Sequence, residues 1–503
     1  MKKKVTCNIF TNIILQASLA ISGLIRPRFI LAQYGSEMNG LVNSINQFIS
    51  YLMLVELGVG NAAVVALYAP LVNNTSSKIN VILSNVRRKY CISGFIYLFF
   101  MILLAAIYPL ILGGQVGYWF SFSMVIMISG SGLIDFFLIG KYKVLLIADQ
   151  RYYILNIFRI IAVCITTLCS CYLLLNQYSL ILIKFLAVVT HFGEVVGISI
   201  YVKHEYPFID FTRRNSSLKI NQQSNALIHQ IANVIVYNTD LAILTICIPE
   251  GSLKEVSVYT TFSMVFSMVT NLMATLTTGI NATFGNMIAK KEYHKLKIYF
   301  DRYEYFYLLI LYPLYTSFIC LILPFVRCYT KGISDVNYIR DWVGILFGIN
   351  GILAQLKDTS VVLITAAGHY KQTQKYVIAE SVVNLVVSLI LVRRYGIEGV
   401  LIGTMLSHCI ADIGMVCYAS RYILKRSFII PLKKNVLNMV GTVFLVLVEF
   451  QRLRDIDDWM RWFLTGIGVV IVNFIFFFFV NVCFDRKFKE ILLVELKEIR
   501  HKS

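Results

Sequence analysis

Apolar runs, each about as long as a bilayer is thick, follow one another along nearly the whole chain and are separated by short polar connectors. A stretch of about 18 or more predominantly apolar residues fits a helix crossing the hydrocarbon core. Fourteen such stretches lie near residues 8–31, 40–68, 90–113, 118–140, 153–175, 178–202, 226–248, 256–288, 303–326, 342–367, 376–392, 397–420, 435–450 and 462–483. No connector is long enough to hold a separate soluble domain. The pattern predicts an all-α integral membrane protein, since the spanning segments must satisfy their backbone hydrogen bonds internally.

Composition agrees. Of 503 residues, 58% are hydrophobic and 15% charged, and the mean hydropathy is +0.71, well outside the range of a soluble globule. The eleven cysteines fall mostly inside apolar runs and show no paired ligand spacing, so they read as small core residues, with no metal expected. The opening MKKK and apolar run have the layout of a signal peptide, but Arg26-Pro27-Arg28 interrupts them without a clean small-residue cleavage site. The segment reads as a retained first helix.

Charge sets the orientation. With a cytoplasmic N-terminus and alternating spans, 32 of the 46 Lys and Arg residues fall in cytoplasmic segments and nine in outer loops. Five remain inside spans. This is the positive-inside bias, and it puts both termini in the cytoplasm. It also accounts for most of the +19 net charge without nucleic-acid binding.

A weak internal repeat recurs at an offset of roughly 217 to 220 residues. Asn61-Ala62 matches Asn281-Ala282, LLIADQRYY around Ala148 matches LITAAGHYK around Ala367, and His191 matches His408. Glu194 and Asp412 follow the two histidines. Six spans per repeat predicts two lobes of the same orientation, related by a pseudo-twofold axis along the membrane normal. The expected organisation is an N-lobe over 1–225, a C-lobe over 226–434, and two further spans with a basic cytoplasmic tail over 435–503.

Three segments carry a family resemblance: YGSEMNGLVNSINQFISYLMLVELGVGNAAVVALYAPL (Tyr34 to Leu71), KYKVLLIADQRYYI (Lys141 to Ile154), and YNTDLAILT (Tyr237 to Thr245) followed by VSVYTTFSMV (Val256 to Val265). The chain resembles bacterial polysaccharide and O-antigen repeat-unit flippases of the multidrug/oligosaccharidyl-lipid/polysaccharide superfamily. It departs from them at Ala69, where relatives commonly have lysine. The resemblance implies the inner membrane, no covalent chemistry, and a polyprenyl-pyrophosphate-linked glycan as cargo. A polysaccharide polymerase and a chain-length regulator are its implied partners, beside membrane lipids.

Such cargo needs a wet cavity with cations for its phosphates. Arg26, Arg28, Arg159, Lys184 and Lys357 are the expected substrate-binding cations. Arg26 and Arg28 fit a helix bending at Pro27, with headgroup anchoring as the other reading. Arg159 and Lys184 have the same two readings. Lys357 lies deepest, with Asp358 beside it as a local neutraliser.

Glu56, Asp135, Glu194, Asp240, Asp358 and Asp412 are the intramembrane carboxylates expected to couple an Na⁺ or H⁺ gradient or to pair with nearby cations, Asp240 first among them. His191 and His408 read as helix-packing hydrogen-bonders. A multidrug/cation antiporter is the alternative, and a membrane-embedded glycan polymerase or acyltransferase the weaker one. No nucleotide-binding signature favours an enzyme.

Overall fold

Inside lipid no water is available to bond backbone N–H and C=O groups, and every described element is accordingly helical. The computed structural model describes residues 2–56, 59–73, 75–210, 224–277, 280–485, 487–490 and 492. Most of the basic C-terminal tail, and the Arg213, Arg214 and Lys219 part of the connector between the sixth and seventh apolar stretches, lie outside the described residues. The chain forms two compact units.

The first unit comprises residues 1–227 with 245–257. It contains α1 (Lys2–Leu52), α2 (Val59–Val72), α3 (Ser76–Ile111), α4 (Tyr118–Ile134), α5 (Gly140–Ala148), α6 (Tyr152–Leu175) and α7 (Leu180–Glu205). A π turn, Asp135–Ile139, joins α4 to α5. The backbone of α1 stays helical through Pro27 and breaks at Gly35, where φ is 79°. Proline's fixed φ of about −65° suits a helix, whereas a positive φ suits glycine.

Helices α1 and α6 run parallel in a fixed register. Asn8 Oδ1 accepts from the Tyr153 amide at 2.7 Å, Asn156 Nδ2 donates to Thr11 Oγ1 at 3.1 Å, and Thr167 Oγ1 donates to Ser22 Oγ at 2.8 Å. All three pairs are 145 residues apart in sequence. At one end Asp149 ties the elements together, paired with Lys4 at 3.1 Å and Arg151 at 2.8 Å, while Arg151 also pairs with Glu205. Burial, with the Asp149 carboxylate that accepts its hydrogen bond, pushes the Tyr206 phenol above its usual range.

The second unit comprises residues 228–244 with 258–503. It holds most of α8 (Ser224–Asn238), of α9 (Asp240–Cys247) and of α10 (Ser252–Thr277). These are followed by α11 (Ile280–Ala289), α12 (Tyr293–Tyr329), α13 (Asp341–Ala366), α14 (Tyr370–Tyr418), α15 (Ile429–Leu453) and α16 (Trp459–Phe484). Most of α12 is buried, and α15 and α16 pack on it through Thr316–Thr442 and Asn473–Ser317 hydrogen bonds. Glu304 of α12 pairs with Arg426 and, at 2.6 Å, with Lys434. Burial opposes the Arg426 charge, but Glu304 and Asp301 outweigh it and hold the guanidinium above its usual value.

Ten helical runs among the described residues are long and apolar enough to cross a membrane, against fourteen apolar stretches in the sequence. Two of the ten, Lys4–Glu56 and Tyr370–Ile423, each reach into two stretches, because helix resumes directly after Gly35 or Gly396. Asn350, Gln355, Lys357 and Asp358 lower the hydropathy of α13, which is outside the ten.

The repeat is visible inside each unit. Helix α5 ends at Ala148 and α13 at Ala366, with α6 and α14 beginning at Tyr152 and Tyr370. Both connections carry a positive φ, at Gln150 and Gly368, and the same three backbone hydrogen bonds.

Candidate functional site

The first unit holds an open cavity of about 660 Å³ lined by α1, α4, the π turn, α5, α6 and α7. Sequence periodicity fills it with polar groups. Helix α6 turns Asn156, Arg159, Val163 and Thr166 to it, and α7 turns Lys184, Ala187, His191 and Glu194, in both cases at i, i+3, i+7 and i+10. Arg26 comes from α1. Four cations, Arg26, Lys143, Arg159 and Lys184, face two carboxylates, Asp135 and Glu194.

The carboxylates are committed to one network. Arg159 Nη1 donates to Glu194 Oε2 at 3.1 Å, and His191 Nδ1 lies 3.0 Å from the same oxygen. His191 Nε2 reaches Asp135 Oδ1 at 3.0 Å. Asp135 opens the π turn, a local widening that re-aims side chains and recurs at functional sites. Glu194 and His191 are buried, while the Arg159 side chain keeps 45% of its surface accessible.

Arg26 and Lys184 are different. Among the described residues neither has a hydrogen-bond or ion-pair partner, although Lys184 lies within electrostatic reach of Arg26, and Arg26 of Arg159. Clustered cations in a low-dielectric wall repel one another and attract an anion. Nearby hydroxyls and amides, including Thr166, Thr190 and Asn156, add neutral hydrogen-bonding capacity.

The remaining expected residues lie elsewhere. Arg28 is half-buried on α1 and does not line this cavity. Glu56 accepts a 2.7 Å hydrogen bond from Tyr90. Lys357 is buried in the second unit, paired with Glu380, whose Oε1 also lies 2.7 Å from His408 Nδ1. The partner of Lys357 is therefore Glu380, and adjacent Asp358 makes no ion pair with it. Glu380 is not among the expected residues, although it is an acid inside an apolar stretch. Lys143, in the connector-like KYK, lines the cavity four residues from Ile139 and eight from Asp135, and that spacing is the sequence signal for it.

The networks have opposite polarity on corresponding helices. In the first unit, the acid Asp135 follows α4, the cation Arg159 is on α6 and His191 on α7. In the second, the cation Lys357 is on α13, while the acid Glu380 and His408 lie on either side of the α14 break. Asp240 opens α9 in a separate cluster, accepting from Tyr259 at 2.8 Å and from Thr404 at 3.3 Å. Asn384 donates to Thr404 at 2.9 Å and accepts from Thr239 at 3.1 Å.

No family model and no curated protein sequence matches the chain. Solved structures do. The lipid II flippase MurJ in an inward closed conformation aligns with a TM-score of 0.66 at 16% identity, covering 95% of this chain and 99% of its own. The chain has the MurJ and MATE transporter fold. An inward-facing multidrug resistance MATE family transporter of the MOP superfamily aligns at 0.58 and 12% identity, covering 82% of this chain and 98% of its own. A MOP superfamily transporter from Pyrococcus furiosus, described by the reverse polarity of its binding pocket, aligns at 0.55 and 13%, covering 85% and 97%. With this MurJ- and MATE-like fold the protein is a multi-pass membrane protein.

Proposed function

We propose that this protein is a flippase that moves polyprenyl-pyrophosphate-linked oligosaccharide repeat units from the cytoplasmic to the outer leaflet of a bacterial inner membrane by alternating access. The single observation that carries the reading is the surplus of cations in the first-unit cavity, with Arg26 and Lys184 unpaired among the described residues. A pyrophosphate supplies several charged oxygens. Arg26 offers them a planar fork, Lys184 a point charge, and Arg159 the part of its guanidinium not bound to Glu194. Thr166, Thr190 and Asn156 suit sugar hydroxyls. No residue set here is assigned a covalent reaction, and the role is transport.

The fold shared with a lipid II flippase supports the lipid-linked class of cargo. Export would serve O-antigen, capsule or exopolysaccharide assembly, with both termini cytoplasmic and a polymerase and chain-length regulator downstream. Coupling to a cation gradient is assigned to Asp240, whose hydroxyl- and amide-rich surroundings suit a monovalent cation. A multidrug/cation antiporter is the second reading, favoured by the MATE-like fold and the buried carboxylates of the second unit.

Deletion of the gene in cells making the lipid-linked units tests the reading. Complete units should accumulate out of reach of a periplasmic glycan-modifying enzyme. Complete units still reaching the outer face would remove flipping as the protein's role.

A further inference from the structure

Asp412 lies in the second half of α14, one turn beyond His408, and is 8% exposed. Both of its carboxylate oxygens are buried, and neither has a hydrogen-bond partner among the described residues. The groups within electrostatic reach of it come from four helices: Tyr237 of α8, Tyr312 of α12, Lys357 and Asp358 of α13, and Glu380 and Cys409 of α14, with His408 against Glu380. Lys357 is the cation of this set, and its ammonium is bonded to Glu380. Three carboxylates therefore share one lysine. Even with His408 protonated, one negative charge stays unmatched, and an unmatched charge in a buried site is neutralised by binding a proton or cation.

We propose that Asp412 is a proton-binding carboxylate, separate from the Asp240 cluster. The oxygen inventory selects the ligand. A hard metal cation requires a shell of several oxygens; Tyr259 and Thr404 set hydroxyl oxygens against Asp240, whereas no hydroxyl, amide or carbonyl among the described residues is bonded to Asp412. No His, Cys, Asp and Glu group among the described residues could hold a metal ion. A proton needs only one lone pair. Water on one side of the membrane gives a proton to one carboxylate oxygen, forming a neutral acid; the reverse step breaks that O–H bond and returns the proton to water. The use of this proton to drive cargo rests on the transport reading, but its binding does not.

The test is infrared difference spectroscopy of the purified full-length protein in lipid nanodiscs, without cargo, titrated across neutral pH. The wild type should show a carbonyl stretch of a buried protonated carboxyl that Asp240→Asn retains, Asp412→Asn loses, and Asp412→Glu keeps at a shifted frequency. Sodium at constant pH should leave it unchanged. An identical band in Asp412→Asn, its loss in Asp358→Asn alone, or its loss on adding sodium would overturn the proposal. The conservative Asp412→Glu change keeps the test decisive if the Asn variant misfolds. Because no glycan is present, a failed flippase reading leaves this result standing on its own.

Discussion

Glu194 Oε2 stands 3.1 Å from Arg159 Nη1 and 3.0 Å from His191 Nδ1, so one buried carboxylate oxygen holds a cation of α6 and an imidazole of α7 at once. This anchors Arg159 at the wall and moderates its charge. Glu194→Gln should strengthen capture of a pyrophosphate-bearing lipid by about tenfold, ~1.4 kcal/mol. Release should slow, so export falls while protein abundance stays. Arg159→Gln should weaken capture. Binding of the purified variants to the lipid-linked unit measures both; equal affinities across the set would separate the network from the cargo.

Lys357 and Glu380 form a deeply buried pair, with side chains 8% and 2% exposed. Lys357→Met strands Glu380 with His408 alone, and breaking a buried pair from one side costs about 3–5 kcal/mol. The melting temperature in detergent should fall clearly. Lys357→Met combined with Glu380→Gln should recover much of the loss, since Glu380 then carries no charge for the missing ammonium to match. A single variant that melts like wild type would contradict this assignment.

Asp240→Asn should abolish gradient-driven export without lowering abundance, while Tyr259→Phe, which removes one of the donors, should reduce it only several-fold. Export measured with the cation gradient collapsed is the control. Gradient-driven export by Asp240→Asn equal to that of wild type would exclude Asp240 from coupling.

Much of the fold was legible because lipid imposes a simple rule on sequence. Apolar runs of bilayer length become helices, and the ionisable residues inside them stand out from the sequence alone. The break in α1 at Gly35 was not legible: a lone glycine signals a positive φ only weakly, whereas Pro27, the stronger signal, keeps a helix-compatible φ. Arg26, Arg159 and Lys184 were readable as cations inside apolar runs. Which of them has a partner was not, because pairing depends on helices far apart in sequence. Lys357 shows the same limit: its neighbour in sequence is Asp358, but the side chain it meets is Glu380, one helix away.

A Thr–Asn hydrogen bond spanning 145 residues occurs in each unit, Thr11–Asn156 and Thr239–Asn384, each at 3.1 Å. Interhelical polar bonds in membranes average about 0.6 kcal/mol and reach about 1.7. Thr11→Val and Thr239→Val should each lower stability by about 1 kcal/mol or less. A double-mutant cycle with Asn156→Leu or Asn384→Leu should return a coupling of that size.

The central claim is that the cations of the first-unit cavity that have no partner among the described residues, Arg26 and Lys184, receive an anionic lipid headgroup. The most direct measurement is translocation of a purified polyprenyl-pyrophosphate-linked unit in proteoliposomes, comparing wild type with Arg26→Gln combined with Lys184→Met. The account predicts at least a tenfold lower rate for the double variant at equal reconstitution and unchanged melting temperature. A wild-type rate from a folded double variant would contradict it.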